Sequence, residues 1–196
     1  MPADAGRQKI KIGVIGASGY TGADLIRLAA CHPKMELTLL AANTHAGKRH
    51  SDVFPHLGFV QAPPLVKAED ADWSSCDAVF CGLPHGTAQD IIATLPESVK
   101  IIDMSADFRL KDTGTYAKWY GREHAAPHLV KDAAYGLTEH YREQIAAVSP
   151  NWRTCPLIAA TRACLSEPAG RSSMASRPYT LNWYRIIAPS GGQGPV

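Results

Sequence analysis

Three glycines near the start of the chain have the spacing of a phosphate-binding loop. Gly16, Gly19 and Gly22 directly follow an apolar run and open a helical pattern. The first glycine permits a tight turn, the second lets the backbone approach a pyrophosphate, and the third lets the helix pack closely against the sheet. A helix start also offers free N–H groups and the positive end of its dipole to an anion. This context predicts a dinucleotide site, and a glycine-rich turn without a ligand is the alternative.

The end of the second apolar run indicates which dinucleotide would bind. An NAD site usually has Asp or Glu there, which accepts a hydrogen bond from the ribose 2′-hydroxyl. Here the run ends in Asn43 and Thr44, and no acid occurs before Asp52. Lys48 and Arg49 add positive charge. The pattern favours NADP as cofactor, unless these two cations are simply solvated loop residues.

Two residues further along the chain suit binding chemistry. Arg109 carries a guanidinium, which binds phosphate or carboxylate in a bidentate geometry. An ion pair with Asp107 or Asp112 is the alternative for this side chain. His85 follows a proline at the end of a predicted strand, where ligands bind in open α/β sheets, although a structural histidine would also suit this position.

The cysteine spacing contains neither a CxxC pair nor a disulfide framework, so we expect free thiols in a reducing compartment and no metal site. The five cysteines are Cys31, Cys76, Cys81, Cys155 and Cys164. The first three fall on a predicted helix end or strand, where we expect buried apolar residues.

Alternating strands and helices must position these residues. Apolar runs predict strands over 9–15, 36–42, 76–83 and 99–104, and helical spacing predicts helices over 21–31 and 87–95. In the first helix, Leu25, Leu28 and Ala29 form the expected apolar face. The alternation predicts an α/β fold over residues 1–150, with a Rossmann-type parallel sheet and helices on both faces.

Composition changes near residue 150. Residues 1–150 contain 15 Lys and Arg and 17 Asp and Glu, whereas residues 151–196 contain five Arg, five Pro and a single acid, Glu167. Because the second segment keeps neither helical nor strand periodicity for long, we expect an irregular C-terminal tail. A Pro-rich extension and an altered reading frame or splice are the two explanations.

Length and charge exclude several classes of protein. The 196 residues suffice for one complete α/β domain and a remnant. A net charge of +2 suggests neither a nucleic-acid nor a membrane partner, and no apolar run approaches the roughly 20 residues of a membrane helix. The first residues resemble neither a signal peptide nor a transit peptide, so we expect a cytoplasmic protein, with the plastid stroma as the alternative.

Five sequence blocks carry a family resemblance. In chain order they are KIGVIGASGYTGA (11–23), FPHL (54–57), GLPHG (82–86), DMSADFR (103–109) and YGLTE (135–139). Together they closely resemble the N-acetyl-γ-glutamyl-phosphate reductases of arginine biosynthesis, within the aspartate-semialdehyde dehydrogenase superfamily. The resemblance covers about residues 9–147, and the SADFR and YGLTE blocks argue against an aspartate-semialdehyde dehydrogenase itself.

The resemblance implies an NADPH-dependent oxidoreductase that converts an acyl phosphate to a semialdehyde through a cysteine thiolate. It implies cofactor contacts in three segments and substrate contacts in a fourth. The phosphate loop includes Ser18, Gly19, Tyr20 and Thr21, the ribose segment Asn43 and Thr44, the nicotinamide loop Leu83, Pro84, His85 and Gly86, and the substrate block Ser105 and Arg109.

The nucleophile is the point where the sequence departs from the family. The family has an Asn-Pro-Gly-Cys-Tyr-Pro block, whereas this chain reads SPNWRTCP over 149–156, so Cys155 is a candidate by position alone. The substrate domain with its catalytic histidine is not recognisable in residues 151–196. We therefore expect a reductase-family chain that lacks catalysis, or alternatively a non-catalytic module that senses NADP or pairs with full-length subunits. Self-association into a homo-oligomer suits either function.

Overall fold

The computed structural model describes residues 9–137, together with residues 140, 141 and 145. Five parallel strands form one sheet in the order β3-β2-β1-β4-β5. The strands are β1 (Ile10–Ile15), β2 (Met35–Ala41), β3 (Leu65–Val66), β4 (Ala78–Cys81) and β5 (Lys100–Asp103). The helices are α1 (Tyr20–Ala30), α2 (His50–Val53), α3 (Ala88–Ile92), α4 (Thr113–Tyr120) and α5 (Pro127–Val130).

Alternating strand residues fill a separate core on each side of the sheet. Phe80 and Ile102 pack with Ile26 of α1 on one face. Val79 and Ile101 point to the opposite face, where α3 and α5 cover them. The predicted Rossmann-type parallel sheet with helices on both faces is confirmed.

The strands and helices predicted from the sequence are all present, with ends that differ by at most three residues. The apolar face assigned to α1 was wrong in one position, because Leu28 is 43% exposed. The buried residues of α1 are Gly22, Ala23, Ile26 and Ala29. Leu28 lies about 200° around the helix from Ile26 and therefore points away from the sheet.

The cysteine prediction was also wrong in one position. Cys76 and Cys81 are buried as expected, whereas Cys31 is exposed at the C-terminal end of α1. The helix has ended there, so the thiol has no sheet to pack against. The expected domain boundary near residue 150 and the tail over 151–196 lie outside the described residues. Within the part of the chain that the structure describes, no helix has both the length and the apolarity needed to cross a membrane.

Candidate functional site

The candidate site lies where the strand order changes direction. Chain order runs outward from β1 to β2 and β3 on one side, and to β4 and β5 on the other. In open α/β sheets, ligands bind beyond the carboxyl ends of the strands at such a point. The Gly16 turn follows β1, and the Gly82 N–H, at the end of β4, donates to the Ile15 carbonyl over 2.8 Å. The loops after β1 and β4 therefore begin side by side.

The glycine loop has the backbone geometry expected of a phosphate cradle. Gly16 has φ +84°, and a Cβ there would lie 2.7 Å from the Gly82 carbonyl oxygen. A Cβ on Gly22 would lie 2.4 Å from the Gly16 carbonyl oxygen, so this glycine lets α1 start close to the loop. Gly19 differs from both, because its φ of −86° suits any residue and its Cβ would meet a single atom, at 3.4 Å. Gly19 thus leaves open space beside the loop.

The first turn of α1 is free to bind an anion. Gly19 is the N-cap, and within the described residues no side chain caps the turn and no acid lies in it. Gly19, Tyr20 and Thr21 are exposed, and Ser18 is half-buried. Since the first N–H groups of a helix have no acceptor within it, they remain available to a pyrophosphate. These residues fit a dinucleotide.

The segment after β2 is exposed and carries polar groups. Asn43 and Thr44 lie in a single 3₁₀ turn, and the Asn43 Oδ1 accepts the Ala68 N–H over 3.0 Å, which leaves its amide NH₂ facing outward as a donor group. Arg49 makes an exposed ion pair with Asp52, with 3.2 Å between Nη2 and Oδ1. The Asp52 charge therefore offsets part of the positive charge that the sequence suggested here.

The loop after β4 contains the predicted nicotinamide contacts. Leu83 is half-buried, and Pro84 and His85 are exposed. The His85 ring lies 5.4 Å from the Tyr120 ring of α4, measured between centroids. Gly86 is buried and has φ +84°. We call residues 83–86 the β4 loop.

A buried carboxylate holds the end of the β4 loop. Asp107 is fully buried, and its two oxygens accept the Gly86 N–H over 2.8 and 2.9 Å. They also accept the Gln89 N–H over 3.1 Å and the Tyr116 hydroxyl over 2.7 Å. Burial, together with the adjacent carboxylate, raises the pKa of Tyr116, so its phenol keeps the proton that it donates.

The predicted substrate residues differ in their surroundings. Ser105 is buried; its hydroxyl donates to Asp103 over 2.6 Å and accepts the Asp107 N–H over 3.1 Å. Arg109 is half-buried, and in the described part of the chain it forms no ion pair with Asp107 or Asp112. The first carboxylate is occupied by the β4 loop and Tyr116, and the second caps α4 through Gly114 and Thr115.

Sequence reasoning missed the residues that support this edge of the sheet. Asp107, Gln89, Tyr116 and His124 are buried polar residues joined by hydrogen bonds, yet they lie up to 35 positions apart. The sequence suggested Asp107 only as an ion-pair partner for Arg109. The signal available was a Gln inside the apolar pattern of α3.

His50 is a further buried polar residue that the sequence did not single out. It is 4% exposed, and neither ring nitrogen has a hydrogen-bond partner among the described residues. Its ring centroid lies 5.2 Å from that of Phe54. Burial lowers the pKa of His50, which keeps the ring neutral at pH 7.

The sheet order, the loop after β1 and the open helix start define a Rossmann-type dinucleotide-binding domain. Residues 11–148 match the profile of the family described as "Semialdehyde dehydrogenase, NAD binding domain". The chain belongs to this family, whose members are NAD(P)-dependent oxidoreductases.

Curated relatives indicate which proteins of this family the chain resembles. Proteins named N-acetyl-gamma-glutamyl-phosphate reductase are 52% identical over 136 residues in Paracoccus denitrificans and 54% identical over 135 residues in Rhodobacter capsulatus. Each match covers 69% of this chain and 40% of the relative. A probable chloroplastic N-acetyl-gamma-glutamyl-phosphate reductase of Oryza sativa subsp. japonica is 52% identical over 138 residues, which cover 70% of this chain and 33% of that protein. The chain thus spans 33–40% of the length of these relatives. These matches bear out the family resemblance.

Solved structures share the fold. An aspartate semialdehyde dehydrogenase of Candida albicans with NADP superimposes with a TM-score of 0.53 at 22% identity, covering 76% of this chain and 42% of that one. The aspartate semialdehyde dehydrogenase II of Vibrio cholerae gives a TM-score of 0.53 at 16% identity, covering 76% of this chain and 38% of that one. At such identities the likeness concerns the fold alone.

Proposed function

We propose that this chain is the NADP-binding part of an N-acetyl-γ-glutamyl-phosphate reductase. The observation that carries the proposal is the identity of 52–54% to curated reductases over 135–138 residues. The reaction would be the reductive dephosphorylation of an acyl phosphate to a semialdehyde, in which bound NADPH supplies the hydride.

In this proposal, three segments of the chain bind different parts of the cofactor. The first turn of α1, with Ser18 to Thr21, binds the pyrophosphate through backbone N–H groups. Asn43 and Thr44 bind the adenosine ribose, and Lys48 adds positive charge beside the 2′-phosphate. The β4 loop, with Leu83, Pro84 and His85, borders the nicotinamide.

We also propose a substrate-facing role for the block after β5. Arg109 is half-buried and is not paired with Asp107 or Asp112, which leaves its guanidinium able to bind a phosphate or carboxylate. The Ser105 hydroxyl donates its hydrogen to Asp103. Ser105 would therefore accept a hydrogen bond from the substrate, or stabilise the conformation of residues 103–109 without contacting the substrate. Cys155, the candidate nucleophile by position, lies outside the described residues.

A second candidate is a non-catalytic NADP-binding module that senses the cofactor or pairs with full-length subunits, including copies of itself. The observation that favours it is the sequence SPNWRTCP over 149–156, which stands where the resemblance leads one to expect the block around the family's nucleophile. For either function we propose the cytoplasm as the compartment, with the plastid stroma as the alternative because the rice relative is named chloroplastic.

One pair of measurements tests cofactor binding and catalysis by this chain. NADPH is titrated against the purified chain by fluorescence, and phosphate-dependent oxidation of N-acetylglutamate semialdehyde is then assayed with NADP. Binding with turnover would show that this chain itself catalyses the reductase reaction, whereas binding without turnover, the result we expect, shows a chain that binds NADP but does not catalyse by itself. A chain that binds no NADPH at all would contradict both.

A further inference from the structure

The Asp107 carboxylate is the structural centre of the edge of the sheet beyond β4, although it is fully buried and faces no solvent. We infer that Asp107 is a positioning residue: it fixes the conformation of the β4 loop and thereby holds this loop against the nicotinamide half of the cofactor. The second part of this inference rests on the proposed function.

The hydrogen bonds show what the carboxylate holds. Both oxygens accept the Gly86 N–H, at 2.8 and 2.9 Å, and one of them also accepts the Gln89 N–H at 3.1 Å. These donors belong to the last residue of the β4 loop and to the second residue of α3. Gly86 has φ +84°. Because glycine can adopt several other backbone conformations, contacts from outside the loop are needed to hold it in this one. Asp107 therefore selects one conformation of the loop.

Two buried side chains, those of Tyr116 and His124, together with the Ala125 backbone, in turn fix Asp107 and Gln89. Tyr116 donates its hydroxyl to the carboxylate over 2.7 Å. The Gln89 Oε1 accepts the Ala125 N–H over 2.6 Å, and its amide nitrogen donates to the Tyr116 hydroxyl over 3.2 Å. His124 accepts the Ala126 N–H at Nδ1, so its proton lies on Nε2, which donates to the Asp107 carbonyl over 3.0 Å.

The same cluster also supports the exposed part of the loop. His85 precedes Gly86, and its ring packs against Tyr120, with 5.4 Å between centroids. Tyr120 stacks on Tyr116, with 4.7 Å between centroids and 24° between ring planes. Tyr116 thus contacts both the Asp107 carboxylate and Tyr120, the ring against which His85 packs. Loss of the carboxylate would leave Gly86 held only through its carbonyl, which accepts a hydrogen bond from Arg122 over 2.8 Å, and would remove the partner that orients Tyr116.

The position of the β4 loop decides which half of a dinucleotide it affects. The glycine loop and the β2 end lie on one side of the point where the strand order changes, and the β4 loop lies on the other. A dinucleotide whose pyrophosphate lies at the start of α1 and whose adenosine lies beyond β2 extends its second half toward β4. Asp107 should therefore govern affinity for whole NADPH and not for its adenosine half.

The test compares NADPH with adenosine 2′,5′-bisphosphate, a fragment that lacks the nicotinamide half, on the full chain. Asp107→Asn keeps the shape of the side chain but turns an NH₂ group toward N–H donors. We expect it to raise the dissociation constant of NADPH about tenfold or more, while the constant of the fragment changes by less than about twofold. Amide hydrogen exchange at Gly86 and Gln89 should accelerate by about tenfold or more.

Asp112→Asn is the matched control. Asp112 also accepts backbone N–H bonds, but at the exposed start of α4, and Asn serves there as an N-cap. This variant should leave NADPH affinity and Gly86 exchange unchanged. Tyr116→Phe provides a milder second test, since it removes one donor to the carboxylate and keeps the ring stack. We expect about a threefold weaker affinity for NADPH and an unchanged affinity for the fragment.

The outcomes separate this inference from the proposed function. Wild-type affinity for NADPH in Asp107→Asn, or an equal loss for NADPH and the fragment, would overturn the positioning role. If Asp107→Asn fails to fold, unchanged exchange and affinity in Tyr116→Phe would overturn it as well. A wild-type chain that binds neither probe would refute the proposed function and the cofactor part of the inference, and the exchange rates at Gly86 would still decide whether Asp107 anchors the loop.

Discussion

At the scale of single residues, Asp103 at the carboxyl end of β5 is a carboxylate whose burial disfavours its charged form. Asp103 is fully buried and accepts hydrogen bonds from the Ser105 N–H and hydroxyl, at 2.9 and 2.6 Å. Burial nevertheless raises the pKa of Asp103 to about 6, and the charge of Asp107 adds to the effect. Two hydrogen bonds therefore do not fully replace the water that a carboxylate loses on folding.

This raised pKa makes stability depend on pH. Between the usual value of 3.8 and about 6, the folded chain holds a proton on Asp103 that the unfolded chain has lost. The contribution of Asp103 to the free energy of unfolding therefore falls as pH rises through this window. Because Asn does not ionise, Asp103→Asn should gain stability relative to the wild type by up to about 3 kcal/mol between pH 4 and pH 7.

Urea unfolding at several pH values measures this difference. Ser105→Ala removes a hydrogen bond that lowers the pKa of Asp103, so this variant should lose more stability than the wild type over the same window. A difference between Asp103→Asn and the wild type that stays constant with pH would refute this explanation.

The preference for NADP is also a residue-scale prediction. Thr44 is exposed at the end of β2, where an NAD-binding chain would have a carboxylate. Thr44→Asp should weaken NADPH about tenfold or more and spare NADH, because each pair of unit charges a few ångströms apart in water repels by about 1 kcal/mol. Fluorescence titration with both cofactors measures the ratio, and Thr44→Asn is the uncharged control. Equal affinities of the unmodified chain for NADPH and NADH would contradict our interpretation of this loop.

At the scale of elements, the junction of β1 and α1 assigns different tasks to its glycines. Gly16 and Gly22 are required by the fold, since a Cβ at either would lie 2.7 Å or less from a backbone oxygen. Gly19 is required by neither contact nor backbone angle. The space left by its missing side chain is open, as our proposal of a phosphate-binding loop requires.

Two variants separate these tasks. Gly19→Val should keep the free energy of unfolding within about 1 kcal/mol of the wild type, because valine readily adopts an extended conformation. Its side chain would fill the space for the pyrophosphate, so NADPH affinity should fall about a hundredfold or more. Gly22→Ala should instead lower the free energy of unfolding by about 1–3 kcal/mol, because its Cβ meets the Gly16 carbonyl.

Chemical unfolding and NADPH titration of both variants give the result. A Gly19→Val chain that remains folded and binds NADPH as the wild type does would show that the pyrophosphate does not lie at this loop.

At the scale of the whole molecule, the domain matches its family over residues 11–148, whereas the chain spans 33–40% of the length of curated relatives. Cofactor binding and chemistry have different requirements. Binding as we propose it needs the loops after β1, β2 and β4, which lie within the described residues. Acyl transfer needs a thiol of lowered pKa, a base and an oxyanion pocket acting together.

The chain by itself should show no measurable oxidation of the semialdehyde. Cys155 lies between Thr154 and Pro156, with Arg153 as a nearby cation in sequence but without the block that surrounds the nucleophile of the family. The measurement is turnover of the unmodified chain with NADP and phosphate, against Cys155→Ser. Robust turnover that disappears in the serine variant would restore Cys155 as the nucleophile. Turnover equal in both chains would indicate contaminating full-length enzyme.

The sequence by itself determined the fold class and the glycine loop between β1 and α1. Strands buried on both faces of a parallel sheet are continuous apolar runs, and a glycine loop between such a run and a helix is a local pattern. Both signals lie within a few neighbouring residues, so β1, α1 and the loop between them could be predicted without knowledge of the rest.

Tertiary structure decided the features that depend on distant residues. Packing against the sheet chose Ile26 over Leu28 as the buried side of α1, although both are apolar. The support of the β4 loop by Asp107 joins positions 21 residues apart in the chain. No local pattern records such a contact, because a buried carboxylate becomes favourable only when folding brings its donors together.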